Sequence, residues 1–266
     1  MILTDRFVVL NFPRTGSTFV RAVLRRIYGR RLDAVRLRDW LPWHAPRFLE
    51  LDLPIDRTWK AERMGRRSQH GRWGQIPESH RHLPVVSVVR HPLDHAVSHF
   101  LHHDWWRVPP AGESELRRRF SGWPRLSFAE YLDFEHEFAL PDVLKGVRPA
   151  ADIGCLTAHF LRFYSRDPDG ALARLTDERI ESGEITALLP PVHWLRHEFL
   201  AEDLAGFLKE VGLPSRAVAA VYRHPRVNVS RERGDLHWRS FYDAAQEARK
   251  LHRERLLFRL FPHLDA

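Results

Sequence analysis

Phe7-Val8-Val9-Leu10-Asn11-Phe12-Pro13-Arg14-Thr15-Gly16-Ser17-Thr18-Phe19 is the stretch that decides the architecture of this chain. The apolar run from Phe7 to Phe12 predicts a short buried strand that breaks at Pro13. Beyond it, Phe19, Val20, Val23, Leu24 and Ile27 recur at helical spacing against Arg21, Arg25 and Arg26, so an amphipathic helix follows. Strand, tight small-residue loop and helix N-terminus together make a phosphate cradle. The first N–H groups of the helix lack intrahelical partners, and the helix dipole favours negative charge there. Gly16 lets the backbone come close, Ser17 and Thr18 add hydroxyl donors, and Arg14 adds a cation.

Outward from this stretch, apolar and helical segments alternate. Residues 84–89 predict a second buried strand, 93–103 a helix, 127–135 and 154–165 two more, 192–197 a strand, and 200–211 a helix ending at Gly212. Residues 240–260 read as one long final helix and 223–238 as loop. Segments 29–69 and 104–125, rich in Arg, Trp and Pro, read as irregular: the first as a lid or acceptor wall with short elements, the second as a mobile loop. Alternating strands and helices imply an α/β protein with a parallel sheet. No linker divides the 266 residues, so one domain over 1–266 is expected.

Composition narrows the function. A hydrophobic content of 44% supports a packed core. No apolar run reaches about eighteen residues, so no membrane span is expected. Met1 leads into the first strand with no signal-peptide pattern, and the lone Cys155, expected to be a buried small hydrophobe, fits a reducing compartment. The expected location is cytoplasmic. A net charge of +8 points to anionic ligands.

The loop contains no Lys, which excludes a Walker A motif. Residues 13–19 instead resemble the 5'-phosphosulfate loop P-[KR]-[ST]-G-[ST]-[ST]-[FW] of the sulfotransferases that use 3'-phosphoadenosine 5'-phosphosulfate (PAPS). Arg90-His91-Pro92, with Ser98 eight residues after Arg90, resembles the family's 3'-phosphate element R-[DN]-P-x-x-x-x-x-S, with His91 in place of Asp or Asn. Arg231, Arg233 and Gly234 resemble its R-K-G loop, with Glu232 splitting the basic pair, and Arg196-His197-Glu198 resembles a stretch that supports the fold. The resemblance implies a three-layer fold of the P-loop-NTPase-like kind, a central parallel sheet flanked by helices. It implies PAPS as co-substrate, adenosine 3',5'-bisphosphate as product, and a small-molecule, lipid or glycan acceptor. It also implies donor binding by Arg14, Thr15, Gly16, Ser17, Thr18, Phe19, Arg90, Ser98, Arg231, Arg233 and Gly234.

Sulfuryl transfer needs a base for the acceptor proton and cations for the charge that builds on the leaving oxygen. A sulfuryl group carries less charge than a phosphoryl group, so no metal is demanded. Relatives carry a catalytic His between the two anion elements, and His70, followed by Gly71, fills that interval. An imidazole suits the task. His80 and His82 are weaker candidates, and Glu62 is the runner-up base. Ser68 stands where relatives carry a helper Lys, which leaves Arg14 as first choice for that cation, with Arg66, Arg67 or Arg72 as substitutes. Arg117-Arg118-Arg119 reads either as a contact for a charged substrate or as a solvated helix face, and Trp105 and Trp106 either as ring-stacking groups or as packing residues. Two other functions stay open. A P-loop-type nucleotide or small-molecule kinase would need ATP and magnesium, and a non-enzymatic polyanion binder would show steep salt dependence without preference for a 3'-phosphate.

Overall fold

A computed structural model of the chain describes residues 1–35, 48–54, 67–225 and 236–264. These gather into two compact units, each assembled from separate stretches of sequence. The first takes the described parts of Met1–Pro54, Arg67–Arg90 and Pro191–Val229, and the second those of His91–Pro190 and Ser230–Ala266.

The first unit is built on a five-stranded sheet of β1 (Ile2–Thr4), β2 (Val8–Val9), β3 (Phe48–Glu50), β6 (Val85–Val89) and β7 (His193–Arg196), in the order β3-β1-β2-β6-β7. A separate ribbon pairs β4 (Leu53–Pro54) with β5 (Arg67–Ser68). Strands β2, β6 and β7 are parallel, but β1 runs antiparallel to both β2 and β3. The sheet is therefore mixed, which corrects the expectation of a parallel one. The reason is local. Only Asp5 to Phe7 separate β1 from β2, and a connection that short allows antiparallel pairing alone. Thr4 closes it: its Oγ1 donates to Phe7 O at 2.8 Å and accepts from the N–H groups of Arg6 and Phe7.

Every residue of β6 is buried, as a run of Val with sheet neighbours on both sides requires. Its one polar side chain is satisfied, with Ser87 Oγ donating to Leu10 O at 2.7 Å. The helix α1 (Ser17–Val35) lays Val20, Val23, Leu24 and Tyr28 against Phe7, Val9, Val86, Leu204 and Phe207. Burial of each such side chain contributes roughly 1.5–3 kcal/mol. Phe7 and Phe207 meet edge to face at 5.2 Å. Arg21 and Arg25 converge on Glu50, which ties α1 to the edge strand β3. The described parts of 29–69 thus continue the helix to Val35 and complete the sheet edge; residues 36–47 and 55–66 lie outside the described residues.

The second unit contains helices and no strand among its described residues. The stretch 104–125, expected as a mobile loop, holds the helices Asp104–Arg107 and Glu113–Arg119 and buries Trp105, Leu116, Phe120 and Trp123. Trp105 lies 5.3 Å from Tyr131 and 5.4 Å from Phe134, ring centre to ring centre, so it is a packing residue. Trp106 is partly exposed. Arg117 pairs with Glu113 one turn away and Arg119 with Glu137, a solvated helix face. The long final helix is two, Ala244–Arg253 and Arg255–Leu260, broken at Glu254 with φ −101° and ψ 12°. Cys155 is buried. Among the described residues, no helix is long and apolar enough to cross a membrane.

Candidate anion-binding site

The loop between β2 and α1 has the backbone of a cradle. Arg14 has φ 64° and Gly16 has φ 96°, on either side of Thr15. Such alternation of hand turns successive N–H groups toward one side of the chain. Gly16 is required twice. Its φ strains any other residue, and a Cβ there would stand 2.8 Å from Leu200 Cδ2. Thr15 Oγ1 donates back to Phe12 O at 3.0 Å and fixes the turn. Gly16 O accepts from the N–H groups of Phe19 and Val20, so α1 begins at Ser17, and the N–H groups of Ser17 and Thr18 precede its first intrahelical bond.

Three segments distant in sequence meet this loop within the first unit. His70 Nδ1 lies 2.7 Å from Asn11 O. A carbonyl oxygen only accepts, so Nδ1 carries a proton, and in the neutral form of the ring Nε2 is the basic nitrogen. His70 is held from behind as well: its N–H donates to Ser68 Oγ at 3.2 Å. A Cβ on Gly71 would collide with Leu53 and come within 2.9 Å of Met1 Cε, which explains the glycine after the histidine. Arg90, directly after β6, donates from Nη1 to Arg14 O at 2.9 Å. That bond braces the loop and uses one of the five N–H donors of a guanidinium.

His197 is the third, and reading the sequence for chemistry missed it. It follows β7, donates its N–H to Val89 O, and sets its ring beside Gly16, with Cδ2 3.4 Å from where a Cβ would be. The turn that carries it is pinned by Arg196, whose Nε and Nη2 grip both oxygens of Asp203 at 2.9 and 2.7 Å while its N–H bonds Oδ2 at 2.8 Å. That grip holds the Asp203 carboxyl below the usual carboxylate range. The signal for His197 was its register: it occupies the carboxyl end of a parallel strand, where open α/β sheets bind ligands.

The remaining candidates lie elsewhere. Ser98 is the seventh residue of the helix Pro92–His102, in the second unit. His91, before that helix, gives it no side-chain cap; its ring stacks on Trp238 at 4.5 Å. Arg72 is half-buried, Arg67 lies in β5, and His80 and His82 sit near the surface beyond the turn at Gly74. Glu62, Arg66, Arg231, Arg233 and Gly234 lie outside the described residues. Asn11 was not anticipated. It is 1% exposed, and neither its Nδ2 nor its Oδ1 has a hydrogen-bond partner among the described residues. An amide in that condition costs on the order of 1–3 kcal/mol.

No protein-family model matches the chain, and neither a curated protein nor a solved structure matches it. Its function is therefore read from the residues themselves.

Proposed function

We propose that the protein is a sulfotransferase that moves a sulfuryl group from PAPS to a hydroxyl or amine of an acceptor. The observation that carries this reading is the meeting of His70 and Arg90 on the backbone of one Lys-free anion loop, on Asn11 O and Arg14 O respectively. Nothing local in the sequence requires residues 59 and 76 positions away from their partners to end there.

In the reaction, the acceptor oxygen attacks sulfur in line with the 5'-phosphate. A new O–S bond forms, the bond from sulfur to the bridging phosphate oxygen breaks, and the acceptor proton passes to His70 Nε2. Adenosine 3',5'-bisphosphate leaves with the bridging electrons, and its charge is met by Arg14 and the loop N–H groups. Arg90 holds the 3'-phosphate in this scheme. The Nδ1 bond to Asn11 O keeps the imidazole in the tautomer that a base needs.

His70→Ala is expected to slow turnover by about a hundredfold to ten-thousandfold with bisphosphate affinity nearly unchanged. Arg90→Ala is expected to weaken bisphosphate binding by about tenfold or more. Turnover measured with labelled PAPS and an acceptor panel, beside calorimetry of the bisphosphate, separates the two effects. Wild-type turnover in His70→Ala removes that residue from the mechanism.

A further inference from the structure

The second unit holds a cavity of about 230 Å3 that has no part in the reaction proposed above. Its walls differ in chemistry. The helix Ala244–Arg253 presents Arg249, Lys250 and Arg253, which at spacings of three and four residues share one helix face. The stretch 129–136 adds Ala129 and Leu132, a small apolar patch partly open to solvent, beside Asp133, Glu135 and His136. A π-helical turn, Glu135–Ala139, interrupts the helical run at this point, a deformation often found at functional sites.

The acids around the cavity already have partners. Lys250, with 6% of its side chain exposed, bonds Glu135 and lies 3.1 Å from Glu254 Oε1, and Glu254 also accepts from Thr157 N–H and Oγ1. Asp243 caps its own helix through Gln246 N–H, and Asp133 faces Arg119 at 3.9 Å. Arg253 donates to Asp152 and to His136 Nε2 at 3.2 and 3.1 Å, which makes that imidazole nitrogen an acceptor and the ring neutral. Burial and then Arg253 hold the His136 pKa below the usual histidine range. Arg249 makes no ion pair or hydrogen bond among the described residues. What the cavity offers a visitor is thus a guanidinium with no partner among the described residues, the further donors of a second one, and the small apolar patch of Ala129 and Leu132.

We propose that this cavity is a binding site for a small carboxylate with an aromatic or short aliphatic tail, its charge on Arg249 and Arg253 and its tail against Ala129 and Leu132. The volume of about 230 Å3 has room for a ligand of that size. The proposal is independent of the sulfuryl-transfer reading.

Calorimetry with benzoate and hexanoate, and with benzylamine as a control of similar size and opposite charge, tests it on the full chain. Both carboxylates are expected to bind with submillimolar affinity and to raise Tm, whereas benzylamine does neither. Arg249→Ala, at an exposed position, is expected to weaken benzoate about tenfold while leaving the ligand-free Tm unchanged. Leu132→Trp, which fills the cavity, is expected to abolish binding. Absence of carboxylate binding in the wild type, equal binding of benzylamine, or wild-type affinity in Arg249→Ala overturns the proposal.

Discussion

A backbone carbonyl has no proton to give, and that fact does much to define His70. Its partner at 2.7 Å places a proton on Nδ1, so that in the neutral ring Nε2 is the nitrogen left to accept one. His91 follows a different logic. Its ring lies between Trp238 and Phe258, and its Nδ1 is buried without a partner among the described residues. Burial first, then Arg239 and His237, push its pKa down to about 4, against the raising effect of Asp94. The unfolded chain takes a proton there near the ordinary histidine value of about 6.5 while the folded chain does not. Stability therefore falls as pH drops from about 6.5 to about 4, by roughly 1–2 kcal/mol once the ring's remaining exposure is allowed for. His91→Phe keeps the stacking and is expected to flatten Tm over that window. An unchanged slope in the variant would assign the acid sensitivity to another group. In the sequence His91 stood only as a departure from a motif, because its partner Trp238 is distant along the chain.

Among the elements, the strand, loop and helix start of residues 7–28 were legible because each is decided locally, whereas the last turns of the helix, to Val35, were read as irregular. A Val run, a Pro break and a helical repeat need no distant partner. The hairpin of β1 and β2 was not legible, because β1 spans only three residues before the charged Asp5-Arg6 turn, too few to show a pattern of their own. Strand β3 is half-exposed and recognisable only beside β1. The helices in 104–125 escaped for a similar reason: they span four and seven residues, too short to stand on propensity, and are held by aromatic packing. The break at Glu254 was hidden because the apolar repeat continues through it. What draws the chain aside there is the carboxylate's place at the N-terminus of the helix Cys155–Tyr164. At the anion loop, Gly16→Ala carries both a strained φ and a contact with Leu200. It is expected to cost about 1–3 kcal/mol and to weaken bisphosphate binding more than tenfold. Thermal unfolding and calorimetry check this together, and wild-type values in both would show that the loop tolerates a different backbone.

For the whole molecule, the α/β character of the first unit was readable from alternation of strand and helix, and so were the main helices of the second, but not their gathering into a unit with no strand among its described residues. Its contacts among residues 91–190 and 236–264 join segments that no local pattern links. The site divides the same way. The loop, Arg90 and His70 were found from sequence, whereas Asn11 and His197 emerged only from packing. The central claim is that the Lys-free loop serves a 3'-phosphorylated donor and not a nucleoside triphosphate or a polynucleotide. Calorimetry of the wild-type chain with adenosine 3',5'-bisphosphate, ATP and a short oligonucleotide tests it most directly. The account predicts that the bisphosphate binds well below millimolar and more tightly than ATP, with modest dependence on salt. Binding of ATP or the oligonucleotide in preference, or no bisphosphate binding below millimolar, would contradict it.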